Sequence, residues 1–153
     1  MWLDYGTSLC QPDVFDLALA ARRDELSNVK IRSCLTMRPR AVLEADPGGE
    51  HFHWFSLHFS GYDRAQHDAG RCNYLPLNLG EVPDYYRRFI DPVDIVVLKC
   101  CPMDEQGYFN FSATNLWHRA LIERAKCVII EVSRGLPYAH GEQNGVHHSE
   151  VDY

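Results

Sequence analysis

At 153 residues the chain has room for one domain, whose core takes roughly two-thirds of the unfolded surface out of water, and no room for a second. Hydrophobic residues make up 46% and charged residues 24%, which excludes extended disorder, and the net charge of −6 excludes a nonspecific nucleic-acid binder that lives on phosphate contacts. No run reaches the roughly 18 uncharged apolar residues of a membrane helix, and Met1 leads into an acidic segment instead of a basic, apolar signal, so no membrane partner and a cytoplasmic location are expected.

In chain order, the turn from Gly6 to Pro12 runs from a strand into a helix over residues 13 to 25, where Val14, Leu17, Ala18 and Ala21 recur at helical spacing. Val29 to Leu35 alternates apolar and polar residues as a strand near a sheet edge does. A short helix is expected from Pro39 through Glu44, then a strand from His51 to Leu57. Gly61 and Gly70 bracket a polar helical segment, and Glu81 to Ile90 reads as another helix. Val93 to Leu98 is apolar and β-branched, as strands buried on both faces are. Pro102 and Gly107 punctuate its exit, Tyr108 to Phe111 returns as a short strand, and Leu116 to Lys126 is helical with Leu116, Trp117, Ala120 and Leu121 on one face. Cys127 to Val132 closes the unit as another buried strand, and after Gly135 the chain turns polar and glycine-rich, as an active-site loop or a linker does. The repeated strand, helix, strand order gives an α/β class: an open, mixed, mostly parallel sheet with helices on both faces, which binds ligands where strands exit at their carboxyl ends.

Candidate chemistry clusters at those exits. The turn holding Gly6 and Gln11 enters a helix amino terminus, where free amides favour a phosphate or carboxylate, although with one glycine it serves equally as a plain strand-to-helix turn. Thr36 and Arg38 offer a hydroxyl and a guanidinium suited to a carboxylate or phosphate, and surface exposure explains the arginine as well. At Ser60 and Gly61 a ligand can approach the backbone closely, or the turn is simply tight. Pro102 and Met103 lie at the exit of the central strand, and Asn144 supplies an amide on a polar loop. Eight histidines, among them His51, His53 and His58, show no fixed third-ligand spacing, so no metal is expected. Six cysteines without a Cys-x-x-Cys pair read as reduced thiols, and Cys100 and Cys101 as buried packing. Glu131 is the one carboxylate on a buried strand, and it must be paired, protonated or used.

Residues 101 to 115, with Pro102, Met103, Asp104, Gly107, Tyr108, Phe109, Asn110, Phe111 and Asn115, resemble a signature of the acetyl-CoA hydrolase/transferase family. Trp2 to Gly6 with Gln11 and Pro12, Phe59 to Arg64, Gly70 to Pro76 with Glu81 to Pro83, and Glu131 to Tyr153 agree in the same order. The chain is similar to the amino-terminal half of these enzymes, nearest the butyryl-CoA:acetate and 4-hydroxybutyrate CoA-transferase branch. The resemblance implies two similar α/β halves, with the catalytic glutamate in the second and none here, so that Glu131 has a structural or supporting role. It implies a fragment or partial gene product that is inactive alone and completed by a carboxyl-terminal half or a complementing subunit, and a homo-oligomer when intact. It implies coenzyme A as a substrate with no metal or redox cofactor, and acyl-CoA and a short-chain carboxylate as partners. Gly6, Gln11, Thr36, Arg38, Ser60, Gly61, Pro102, Met103 and Asn144 are then the expected substrate-binding set. An acyl-CoA hydrolase half and a non-catalytic acyl-CoA or carboxylate-binding module are the alternatives.

Overall fold

A computed structural model describes all residues, Met1 to Tyr153. Six strands form one sheet in the order β4-β3-β2-β1-β5-β7, every neighbouring pair parallel. They are β1 (Trp2–Thr7), β2 (Val29–Cys34), β3 (Phe52–Ser56), β4 (Cys72–Tyr74), β5 (Ile95–Cys100) and β7 (Cys127–Val132). Two short strands, β6 (Tyr108–Asn110) and β8 (Gly145–His147), pair antiparallel as a separate ribbon, and they supply the non-parallel part of the architecture.

Alternation along the strands sends each residue set to its own face. On the first face Leu3, Tyr5, Ile31, Trp54 and Val97 pack with Phe15 and Leu19 of α1 (Val14–Ala21), Val42 and Leu43 of α2 (Ala41–Ala45) and Tyr62 of α3 (Gly61–Asp68). On the second face Val96, Leu98, Cys100 and Val128 pack with Val82 and Tyr86 of α4 (Val82–Arg88) and Ala120, Leu121 and Ile122 of α5 (His118–Arg124). Helices therefore cover both faces. The sheet is wound outward in both directions from β1, with β2, β3 and β4 on one side and β5 and β7 on the other, and the right-handed crossover rule then assigns the two helix groups to opposite faces.

Several expectations are corrected. β2 lies inside the sheet, between β1 and β3. Its alternation arises because Arg32 turns a charge into the second face, where its guanidinium donates to both Asp4 carboxylate oxygens at 2.7 and 2.6 Å, and Tyr86 donates its hydroxyl to the same carboxylate at 2.7 Å. Helix α1 ends at Ala21, before a 3₁₀ turn over Arg23–Glu25. Its inward face is also rotated from the expected one. Phe15 and Leu19 pack inward while Val14 and Leu17 are exposed, because Asp16 is drawn in to accept from the Tyr5 hydroxyl and the Ala41 amide. Leu116 lies before α5 and is half exposed, whereas Trp117, Ala120 and Leu121 are buried. β4, three residues long, carries no strand pattern of its own in the sequence. The polar segment after Gly135 is not a linker, since it contains β8 and its last residues lie along the outer edge of β7, where Ile130 donates its amide to the Tyr153 carbonyl at 2.9 Å. No helix is long and apolar enough to cross a membrane.

Candidate functional site at the carboxyl edge of the sheet

Where the winding reverses, the chain leaves β1 toward the first face and β5 toward the second, so their exit loops part and open a crevice. The segment 110 to 115 folds into that crevice. Thr7 donates its hydroxyl to the Thr114 carbonyl at 2.9 Å, Thr114 donates to the Cys10 sulfur at 2.7 Å, and Cys10 donates to the Phe111 carbonyl at 3.0 Å. Burial pushes the Cys10 thiol above its ordinary value, so it stays protonated within this network. Gly6 is required by the same fold-back, because a Cβ there would run into the Cys10 carbonyl.

Backbone strain gathers at this edge. Ser8, Leu35, Ser112 and Gln143 hold positive φ angles of 50°, 51°, 58° and 55°, a region that non-glycine residues avoid, and such strain concentrates at functional sites.

The expected site residues fall into two groups. Gln11 is buried, and its amide donates to the Ser33 hydroxyl, to the Cys34 carbonyl at 3.3 Å and to the Thr36 hydroxyl at 3.3 Å. Thr36 is buried and donates its amide to Asp63 at 2.9 Å, while Ser60 and Asp63 form a reciprocal cap on α3. These residues, with Gly6, hold the exit loops in place. Gly61 opens α3 with free space around it. Arg38, Pro102 and Met103 are exposed, and Asn144 donates to the Ser112 and Ala139 carbonyls at 3.0 and 2.7 Å.

Several clefts open along the edge, among them three of about 310 to 400 Å³. One, of about 360 Å³, is walled by Asp104, Asn110, Tyr138, His140, Gln143 and Asn144. A second, of about 400 Å³, has Asp13, Arg38 and Lys99 among its walls. There Asp13 accepts from Lys99 at 2.7 Å, Arg38 at 2.9 Å and Arg40 at 3.0 Å. Burial pushes the Asp13 carboxyl up, but the hydrogen bonds from Lys99 and Arg40 outweigh it and hold the group below its ordinary value. The third, of about 310 Å³, lies at the exits of β1 and β2, between Thr7, Leu35, His58, Leu79 and Leu116.

β7 is an edge strand and Glu131 is half-buried, so the buried strand carboxylate is Asp4 on β1 and not Glu131. Glu131 stands beside Lys99 in the β5–β7 register and accepts the amides of Asp13 at 2.8 Å and Phe15 at 2.9 Å, so a carboxylate from the edge strand caps α1. All six cysteines are free thiols, and Cys100 and Cys101 are buried. His51 bonds the Leu26 carbonyl through Nδ1, and no three His, Cys, Asp or Glu side chains converge as a metal-ligand group. Lys99, nearly buried at the end of β5, and the leucine-walled cleft went unread in the sequence. The only local signal for Lys99 is a lysine inside an otherwise apolar strand run.

An open α/β domain wound both ways from β1, with its clefts and its strained backbone at the carboxyl edge, is the class that fold and site define. The model of the acetyl-CoA hydrolase/transferase N-terminal domain matches residues 1–153, and the chain belongs to this family. It is 40% identical over 152 residues to the butyryl-CoA:acetate CoA-transferase of Anaerostipes caccae, covering 99% of this chain and 34% of that protein. It is 34% identical over 152 residues to the succinyl-CoA:cyclohexane-1-carboxylate CoA transferase of Geobacter metallireducens, again with 99% and 34% covered. The chain thus spans about a third of the length of these relatives. In fold it matches RipA from Yersinia pestis, with a TM-score of 0.83 at 24% identity over 99% of this chain and 37% of that one.

Proposed function

We propose that this chain forms the amino-terminal half of a CoA-transferase that moves coenzyme A between a short-chain acyl-CoA and a free carboxylic acid such as acetate. The observation that carries the reading is the match along essentially the whole chain, at 40% identity, to a protein named for butyryl-CoA:acetate transfer. In this reading a glutamate of a second half attacks the thioester carbonyl and expels CoA thiolate, leaving an acyl-glutamyl anhydride. The thiolate then attacks the glutamyl carbonyl, releases the carboxylate and forms a glutamyl-CoA thioester, and the incoming acid reverses both steps. The carboxyl edge described above walls the reacting groups and restricts water, favouring transfer over hydrolysis. Glu131 is unsuited to the nucleophile's part, since the Asp13 and Phe15 amides already occupy its oxygens.

Exchange of labelled acetate into butyryl-CoA, followed by mass spectrometry, tests this with the chain alone and with a separately expressed second half of a related transferase. Exchange in the mixture alone is expected. Exchange by the chain alone would place the nucleophile among these residues, hydrolysis without exchange would favour the hydrolase alternative, and a silent mixture would remove the transferase reading.

A further inference from the structure

At the cleft of about 400 Å³ three cations converge on one carboxylate. Asp13 accepts from Lys99 and Arg38 through Oδ2 and from Arg40 through Oδ1. Arg40 spends its other donors on the Pro12, Arg38 and Pro39 carbonyls, whereas Lys99 and Arg38 have no acceptor in the chain besides Asp13. An ammonium and a guanidinium each carry several donors, so most of the hydrogen-bonding capacity of this pair is unspent. Lys99 is only 5% exposed, and a charge so far out of water gains from a further anionic partner. Glu131 does not relieve the shortage, because the Asp13 and Phe15 amides take its oxygens. In a chain of net charge −6 the cleft is thus locally cationic, with Lys99 and Arg38 in its lining against Asp13 alone.

The rim decides what kind of anion fits. Leu9 and Met37 are 40% and 55% exposed, and with Leu136 and Pro137 they place apolar surface around the charges. A free acid seated between the cations leaves that surface in water, while a folded partner covers it and shuts water off from the central charged contact, as interface hot spots require. The walls come from the exits of β1, β2, β5 and β7, so the sheet holds the two cations in place before any partner arrives. Resting on the transferase reading, we infer that this cleft is a socket by which the chain docks on the second half, and that it takes an Asp or Glu side chain of that half between Lys99 and Arg38.

Carbodiimide coupling, which joins an amine to a carboxylate in direct contact, followed by mass spectrometry, tests this on the native chain mixed with the separately expressed second half of a related transferase. Lys30, Lys99 and Lys126 are the only lysines, so a link at Lys99 is unambiguous. A link from Lys99 to an Asp or Glu of the second half is expected, and a link from Lys99 to Asp13 alone would overturn the socket. Arg38 is exposed, so Arg38→Glu leaves the fold intact, and it should weaken association of the two halves by about tenfold or more at low salt, with the difference shrinking as salt rises. Association unchanged by this variant, or no association of the native chain, would overturn the inference. Acetate and butyrate test the other source of a carboxylate. If either acid by itself shifts the Lys99 ε-methylene NMR signal as far as the second half does, the cleft belongs to a free acid and the docking is overturned. Labelled-acetate exchange in the same mixture without a Lys99 link would overturn the socket and leave the transferase reading standing, and a Lys99 link without exchange would do the reverse.

Discussion

His118 opens α5, fully buried against the Phe111 ring at a centroid distance of 5.0 Å, and neither ring nitrogen meets a hydrogen-bond partner. Burial favours the neutral imidazole and pushes its pKa from 6.5 down to about 4. The unfolded chain takes up the proton near 6.5 and the folded chain does not until about 4. Stability from this residue is therefore complete above pH 6.5, declines as pH falls through that window, and changes no further below it, the whole loss being about 3 kcal/mol. Urea unfolding between pH 7 and 4 should show this loss in the native chain and a flatter profile, by about that amount, in His118→Leu. Identical profiles would mean that the imidazole is hydrated when folded. Nothing in the sequence marks this histidine among eight, because burial is set by what the rest of the chain brings over it.

At the scale of elements, α1 shows where periodicity misleads. Val14, Leu17, Ala18 and Ala21 share a helical stripe, yet the buried face belongs to Phe15 and Leu19, since the Asp16 carboxylate has better partners inside, in Tyr5 and Ala41, than the aliphatic stripe has. The helix also lacks a side-chain cap of its own, and Glu131 supplies it from β7. Glu131→Ala should cost about 2 to 3 kcal/mol in urea unfolding and speed amide exchange at Asp13 and Phe15, with Glu131→Gln retaining part of the stability through its one remaining acceptor. Unchanged exchange at those amides would show that water caps the helix equally well. Strands β2, β3, β5 and β7 were legible because β-branched and aromatic runs mark them. β4 and β8, three residues each, carry no such run and are strands only because β3 and β6 pair with them.

Across the whole molecule, Asp4, Arg32 and Tyr86 join β1, β2 and α4 inside the second face, and Trp2 lies 4.4 Å from the Arg32 guanidinium. Arg32→Met leaves Asp4 buried without a cation and should lower global stability by about 3 to 5 kcal/mol. Adding Asp4→Leu should restore much of it, because a buried ion pair replaced as a unit leaves no charge unpaired. A double variant as unstable as the single one would show that the pair also sets the register of β1 against β2. The class of fold, the helices on both faces and the family signature at 101 to 115 were all readable in the sequence, since alternation, breakers and motif spacing act over a few residues. Which exits face one another, which cleft gathers the cations, and what Glu131 holds were decided by the tertiary structure alone. Those features rest on contacts between residues far apart in the chain, 118 positions for Glu131 with Asp13 and 82 for Asp4 with Tyr86, and no local pattern encodes a partner that only strand order brings near.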